Sequence, residues 1–276
     1  MRIAVASGKG GTGKTFVATN LSAVAGTDMA DLDVEEPNAH LFFPGEEVAR
    51  CPVSRPVPRI DQERCDLCGE CVRICAFSAL MRMPTRIAVH DEMCHGCGGC
   101  VLVCPKKAVR EVPHPLGAAV RVRWEDRHLL YGILNVGEPM ATPLIRAVKD
   151  MLSSGKDVIM DCPPGTSCQM VESVRGCDLC VLVTEPTPFG LHDLRLAVGT
   201  LRKLDLRHGV VINKEGMGGS DIDQYCRDEG IPVLGRLPFQ RGIAREYAEG
   251  RLATSDPKIA GRFREIWKAV LREVGR

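Results

Sequence analysis

Short apolar runs alternate with longer amphipathic stretches along most of this chain. "RIAVAS" is apolar, runs into glycines and predicts a buried strand. "GKTFVATNLSAVAG" has helical periodicity and closes on Gly26, and "DMADLDV" predicts a second strand ending in acids. Between Phe43 and Pro58, Pro44, Pro52, Pro56 and Pro58 interrupt the rhythm, and the stretch reads as a linker. From Ala118 to Leu134 apolar and polar residues alternate in places, which suggests a hairpin. The αβ rhythm returns after Glu138. "ATPLIRAVKDMLSSG", a segment from about Leu191 to Leu204, and "DIDQYCRDEG" predict helices, whereas "DVIMDCPPG", "DLCVLVTEPT", "HGVVINK" and "IPVLGRLP" predict strands. This alternation predicts an α/β fold with a mostly parallel sheet flanked by helices. The C-terminal stretch "DPKIAGRFREIWKAVLREVGR" places Ile259, Phe263, Ile266, Trp267, Val270, Leu271 and Val274 on one face and basic residues around much of the rest. Packing of that face on the sheet is expected, rather than membrane binding.

Composition narrows the function classes. The 276 residues carry 36 basic and 35 acidic side chains, a formal net charge of +1, so no basic excess is available to neutralise nucleic-acid phosphates. Aromatic residues make up only 4%, which argues against base-stacking platforms. The N-terminus lacks the apolar stretch of a secretory signal, and no segment reaches membrane-spanning length, so a cytoplasmic location is expected. In that compartment the 14 cysteines are expected to stay reduced or to bind metal.

"SGKGGTGKT" satisfies G-x-x-x-x-G-K-[ST] through Gly8, Gly13, Lys14 and Thr15, between a predicted strand and a predicted helix. Backbone N–H groups of Gly8, Lys9, Gly10, Gly11, Thr12 and Gly13 can turn towards phosphate oxygens, aided by the helix N-terminus. Lys14 is expected to reach the β- and γ-phosphates of ATP, and the Thr15 hydroxyl to hold Mg²⁺. Asp31 and Asp33 end the second strand, and Asp161 ends the apolar strand of "MDCPPGT", where carboxylates can orient water or the shell of a cation.

Cys65, Cys68, Cys71 and Cys75 are followed by Cys94, Cys97, Cys100 and Cys104, both runs having the spacing C-x₂-C-x₂-C-x₃-C. This is the spacing of bacterial ferredoxins, in which the fourth cysteine of each run serves the other cluster. One [4Fe–4S] cluster is therefore expected on Cys65, Cys68, Cys71 and Cys104, and a second on Cys75, Cys94, Cys97 and Cys100. Cys₄ zinc sites are the alternative, less suited to the offsets of the third and fourth cysteines. Pro105 follows Cys104 as the pattern asks, but Ala76 follows Cys75.

With Lys9 directly after Gly8, the phosphate loop resembles that of the MinD/ParA/nitrogenase-iron-protein class of ATPases, and the whole chain resembles members of that superfamily with an inserted two-cluster ferredoxin domain. "DLDVEEPN", "NVGEP" and "DCPPGTSC" belong to the resemblance. It implies a discontinuous P-loop ATPase domain over residues 1–52 and 115–276, with a small α+β ferredoxin-like insert over 53–114. It also implies that Lys9 reaches a partner's nucleotide across a dimer, that Asp33 activates water and helps hold Mg²⁺, and that Asp161 completes the Mg²⁺ shell. Asp31, nearer the strand, suits a structural role equally well. Gly165 would sense the γ-phosphate, Asn213 would read adenine, and Pro238 and Phe239 would lie nearby.

Six cysteines lie outside the runs. Cys177 and Cys180, in "CDLC", suit packing in an apolar strand. Related cluster-carrier ATPases place a cysteine pair after the strand corresponding to "VVINK", and "EGMGGSDIDQY" has none. Cys168 lies seven residues after Asp161, the offset of a cluster ligand in the nitrogenase iron protein; but "NVGEPMATP" offers no second cysteine, and a thiol packed beneath the switch is expected. The function expected is a Mg-ATP-dependent, dimerising ATPase, as a homodimer or with a paralogue, that couples nucleotide state to electron transfer with a redox partner. The alternatives are a cluster-assembly ATPase serving an iron–sulfur partner and a MinD-like positioning or scaffolding ATPase with structural clusters.

Overall fold

The computed structural model describes residues 1–218 and 221–276; the stretch "EGMGGSDIDQY" therefore lies partly outside the described residues. In chain order the elements begin with β1 (Arg2–Ala6), α1 (Lys14–Ala25), β2 (Asp28–Asp31) and β3 (Glu46–Ile60). Then come α2 (Glu70–Ile74), β4 (Leu80–Arg82), β5 (Ile87–Val89) and α3 (Gly99–Leu102). The middle of the chain forms β6 (Val109–Trp124), β7 (Arg127–Leu134), α4 (Thr142–Asp150), β8 (Val158–Asp161) and α5 (Cys168–Val174). It closes with β9 (Leu179–Thr184), α6 (Pro188–Lys203), β10 (His208–Glu215), α7 (Ile222–Asp228), β11 (Val233–Pro238), α8 (Arg241–Ala248) and α9 (Pro257–Glu273).

Among the described residues one nine-stranded sheet has the order β11-β10-β9-β1-β8-β2-β7-β6-β3. Strands from β11 to β7 are parallel, and β6 and β3 continue the sheet antiparallel. Strand alternation splits the core into two layers. Ala4 and Ala6 face α4, α5 and α6 through Leu144, Met170 and Leu194. Ile3 and Val5 face α1 and α9 through Val17, Leu21, Phe263 and Val270. The terminal helix thus buries Ile259, Phe263, Ile266 and Val270 in the core, as its apolar face predicts.

The stretch expected to be a linker is instead β3, paired with β6 from Glu46 to Ile60. Its prolines are compatible with a strand because β3 is the last in the sheet, where a missing N–H costs no ladder bond. The hairpin expected over 118–134 is formed by β6 and β7. The tips of β3 and β6 carry the intervening cysteine-rich residues, which are closed at the base by the Asp61 amide donating to the Ala108 carbonyl at 2.7 Å. Those residues have little apolar core of their own: Cys71, Leu80, Ile87, Cys100 and Val109 form one small cluster, and Val57, Ala79 and Cys94 another.

Candidate functional site

The phosphate loop connects β1 to α1 at the C-terminal edge of the parallel strands, where α/β sheets place their ligands. Gly11 and Gly13 have φ of 76° and 91°, backbone that only glycine adopts without strain. A side chain on Gly13 would also strike Asn213 at 2.3 Å, whereas one on Gly10 or Gly11 would meet open space. That space is a cavity of about 390 Å³. Lys14, Thr15, Asp33, Asn213, Pro238, Phe239 and Tyr247 line it, together with Gly10, Gly11 and Gly13.

Lys14 is buried, and three carboxylates gather around it. The Thr15 hydroxyl donates to Asp161 Oδ2 at 2.5 Å. Asp161 is 1% exposed, and its Oδ1 has no hydrogen-bond partner. Burial pushes its pKa well above the usual carboxylate range, and the neighbouring Asp31 charge pushes it further. A buried, unpartnered carboxylate oxygen beside a threonine hydroxyl suits the hydration shell of a divalent cation. Asp31 is fully committed elsewhere: its carboxylate accepts from the backbone N–H groups of Asp33 at 3.1 Å and of Asn38 and Ala39 at 2.9 Å. It shapes the loop that presents Asp33 to the cavity. Burial raises the Asp33 carboxyl to about 6, reinforced by Asp31. Gly165, φ 86°, donates its N–H to the Ser7 carbonyl at 3.0 Å, which ties the turn after β8 to the phosphate loop.

Asn213 spends its amide N–H on the Thr12 carbonyl at 2.8 Å, so it braces the loop as well as lining the cavity. Lys9 is held on its own subunit, Nζ to Glu185 Oε1 at 2.5 Å. Glu185 also pairs with Lys214 at 3.1 Å, and Lys214 donates to the Gly11 carbonyl at 2.7 Å. Burial would raise the Glu185 pKa, but the hydrogen bonds from Lys9 and Lys214 hold it below the ordinary value. Sequence reasoning missed Glu185, Lys214 and Tyr247. A charged residue directly after a parallel strand, and an Ile243–Tyr247 pair at i and i+4, were the available signals.

The eight cysteines of the two runs fall into matched halves. Leu67 and Gly96, Gly69 and Gly98, and Ser78 and Lys107 all have positive φ. Each pair is separated by the same number of residues as Cys65 and Cys94. Both fourth cysteines accept a backbone N–H from four residues on: Ala79 to Cys75 Sγ at 3.3 Å and Ala108 to Cys104 Sγ at 3.2 Å. Cys65, Cys68, Cys71 and Cys104 line one small cavity. Cys75 packs against the small cluster of Val57, Ala79 and Cys94, and Cys97 and Cys94 lie near Cys100. Cys104 thus lies with the first run, while Cys75 borders the clusters of both runs. Among the described residues, no three His, Cys, Asp or Glu side chains group closely enough to hold a single metal ion.

Cys162, Cys177, Cys180 and Cys226 are buried within the first core layer, as packing cysteines should be. Cys168 departs from expectation. It is exposed at the start of α5, because Met170, Ser173 and Val174 supply that helix's buried face.

The comparisons with known proteins agree with the sheet and loop. The fold resembles the septum site-determining protein MinD of Pyrococcus horikoshii, solved with Mg-ADP, at a TM-score of 0.62 and 19% identity, covering 99% of this chain and 97% of that one. It also resembles the cell division ATPase MinD of Pyrococcus furiosus, at 0.59 and 18%, covering 98% of each chain. An uncharacterised protein of Methanocaldococcus jannaschii, MJ0578, is 29% identical over 97% of this chain and 95% of its own length. A second from the same organism, MJ0579, is 27% identical over 91% and 90%. The profile of the CobQ/CobB/MinD/ParA nucleotide-binding domain matches residues 3–253, and the chain belongs to that family.

Proposed function

We propose that this protein is a Mg-ATP-dependent switch of the MinD/ParA type. It hydrolyses ATP, pairs with a second copy or a paralogue when ATP is bound, and engages a partner protein in that state. The observation that carries this reading is the cation-ready pair at the loop: Thr15 on one Asp161 oxygen, the other oxygen buried and unpartnered. Bound Mg²⁺ would neutralise charge on the phosphate oxygens. The chain's own residues do the rest. Loop amides and Lys14 hold the phosphates, and Asp33 orients and deprotonates the attacking water. Lys9, now on Glu185, is free to cross to a partner once that ion pair opens. One similar structure, from Aquifex aeolicus, is a MinC:MinD complex, and a protein partner for this chain is proposed by analogy. Sedimentation with Mg-ATP against Mg-ADP tests the switch. A dimer is expected with ATP only, and equal association states with both nucleotides would overturn it.

A second reading adds electron transfer, and the matched halves of the insert favour it. Residues 53–114 act in it as a ferredoxin-like domain with two [4Fe–4S] clusters, held by Cys65, Cys68, Cys71 and Cys104 and by Cys75, Cys94, Cys97 and Cys100. Clusters so held supply one-electron chemistry; the chain contributes the N–H donors at Cys75 and Cys104 that favour the reduced state. Reduction potentials measured with and without Mg-ATP decide between structural and redox-active clusters. Linkage requires a shift in potential to be matched by a shift in ATP affinity.

A further inference from the structure

The turns of the two cysteine runs are held differently. The turn of the first run is tied within the insert: Asp61 accepts from the Glu63 and Arg64 amides and Asp66 from the Cys68 amide. The turn of the second sits directly on β3. Gly96 approaches so closely that a side chain there would lie 2.9 Å from the Pro56 carbonyl. Arg55, also on β3 and 2% exposed, donates to the carbonyls of Cys94 and Asp91, both at 2.7 Å. Its counter-charge comes from outside the insert. Glu138, in the "NVGEP" loop after β7, lies 3.6 Å from Arg55 and 2.6 Å from His114 Nε2. His114 and Arg59 both face Asp91, and Arg59 grips it through both carboxylate oxygens.

The other end of the "NVGEP" loop reaches the nucleotide site. Leu134, its last strand residue, donates its N–H to the Val34 carbonyl at 3.0 Å, and Val34 follows Asp33. Gly132 leaves no slack: an added Cβ would lie 2.5 Å from Val34 Cγ1. The Asp33 loop and the end of β7 are therefore in direct contact. Arg55 Nε and Glu138 Oε2 are buried without hydrogen-bond partners, so this ion pair is incompletely satisfied.

We propose that Arg55 and Glu138 are positioning residues that transmit the state of the Asp33 loop to the Cys94 turn, making the second cysteine run the nucleotide-responsive half of the insert. The proposal rests on the ATP-switch reading and extends it to a named pair. Hydrogen–deuterium exchange on the anaerobic full-length protein, with and without Mg-ATP, tests it. Amides of residues 91–97 should change their exchange by between about two- and thirtyfold, and those of 63–68 by less. In Glu138→Gln that difference should vanish while ATP hydrolysis and iron content persist. Arg55→Lys, which keeps the charge but not the forked donation, should weaken it partly. An undiminished ATP response in both variants would overturn the link, as would a wild-type protein that hydrolyses ATP without any response at 91–97. Failure of the underlying reading looks different: equal association states with Mg-ATP and Mg-ADP in sedimentation, whatever the exchange at 91–97.

Discussion

The nucleotide cavity takes its residues from stretches as far apart as Gly10 and Tyr247, whereas the insert takes all eight of its cysteines from Cys65 to Cys104. The first is preformed: strands place Asp31 and Asp161, and a two-layered core packs both faces of the strands. The insert has two small apolar clusters in which cysteines are themselves members, so on the two-cluster reading the bound clusters would form part of its core. Ligand binding should therefore modulate one region and build the other.

The largest expected effect separates them at once. Lys14→Ala removes the buried cation of the phosphate loop and should lower hydrolysis by at least about 10²-fold, the scale of losing one preorganised electrostatic donor. Iron content and the visible spectrum should not change. A steady-state assay beside iron analysis checks both, and loss of iron in this variant would break the separation.

A tenfold effect is expected from pH. As the proposed base, Asp33 would act only when ionised, and its carboxyl is raised to about 6. Activity is therefore full above that value and lost as pH falls through it, by about tenfold one unit below. The kcat/KM profile of the nucleotide-free enzyme should show this acid limb, and Asp33→Asn should abolish it. Stability runs in the opposite sense. The folded chain binds the Asp33 proton more tightly than the unfolded chain, whose carboxyl keeps its ordinary value of 3.8, so this group's contribution declines as pH rises from about 4 to about 6.

A smaller, roughly twofold effect is expected inside the insert. Cys71→Ser removes one thiolate from the set that lines the first cavity, and about half the iron should be lost. Chelation should then melt the insert while exchange protection in β1 and β8 persists. Simultaneous unfolding of both regions would show that the sheet depends on the insert.

These contrasts also explain what was legible in the sequence. The cysteine runs repeat at a fixed interval, so their duplication and the matched turns that carry them were legible from spacing. The phosphate loop was legible because one contiguous motif carries it. Glu185, Lys214 and Tyr247 were not, because only the sheet order brings β9, β10 and α8 to the same loop. The prolines around Pro52 misled for a related reason. They mark irregular chain in general, and only knowledge that β3 is an edge strand makes them compatible with pairing. Cys168 read as packed because the phase of a short helix is not fixed by its sequence alone.

The smallest effect tests how alike the two halves of the insert are. Pro105 follows Cys104, while Ala76 follows Cys75. The backbone treats the two positions alike. Each fourth cysteine accepts an N–H from four residues on, and the residue three positions after each, Ser78 or Lys107, has positive φ, 55° and 49°. A proline tolerated at 105 should then fit at 76. Ala76→Pro would act mainly by restricting the unfolded chain, raising stability of the insert by about 0.4–1 kcal/mol. Chemical denaturation of the anaerobic protein, followed through the visible absorbance, should show a slightly higher midpoint with the same iron content. A drop of more than about 1 kcal/mol would mean that the Ala76 backbone cannot take proline geometry, and that the halves diverge beside Cys75 despite their shared turns.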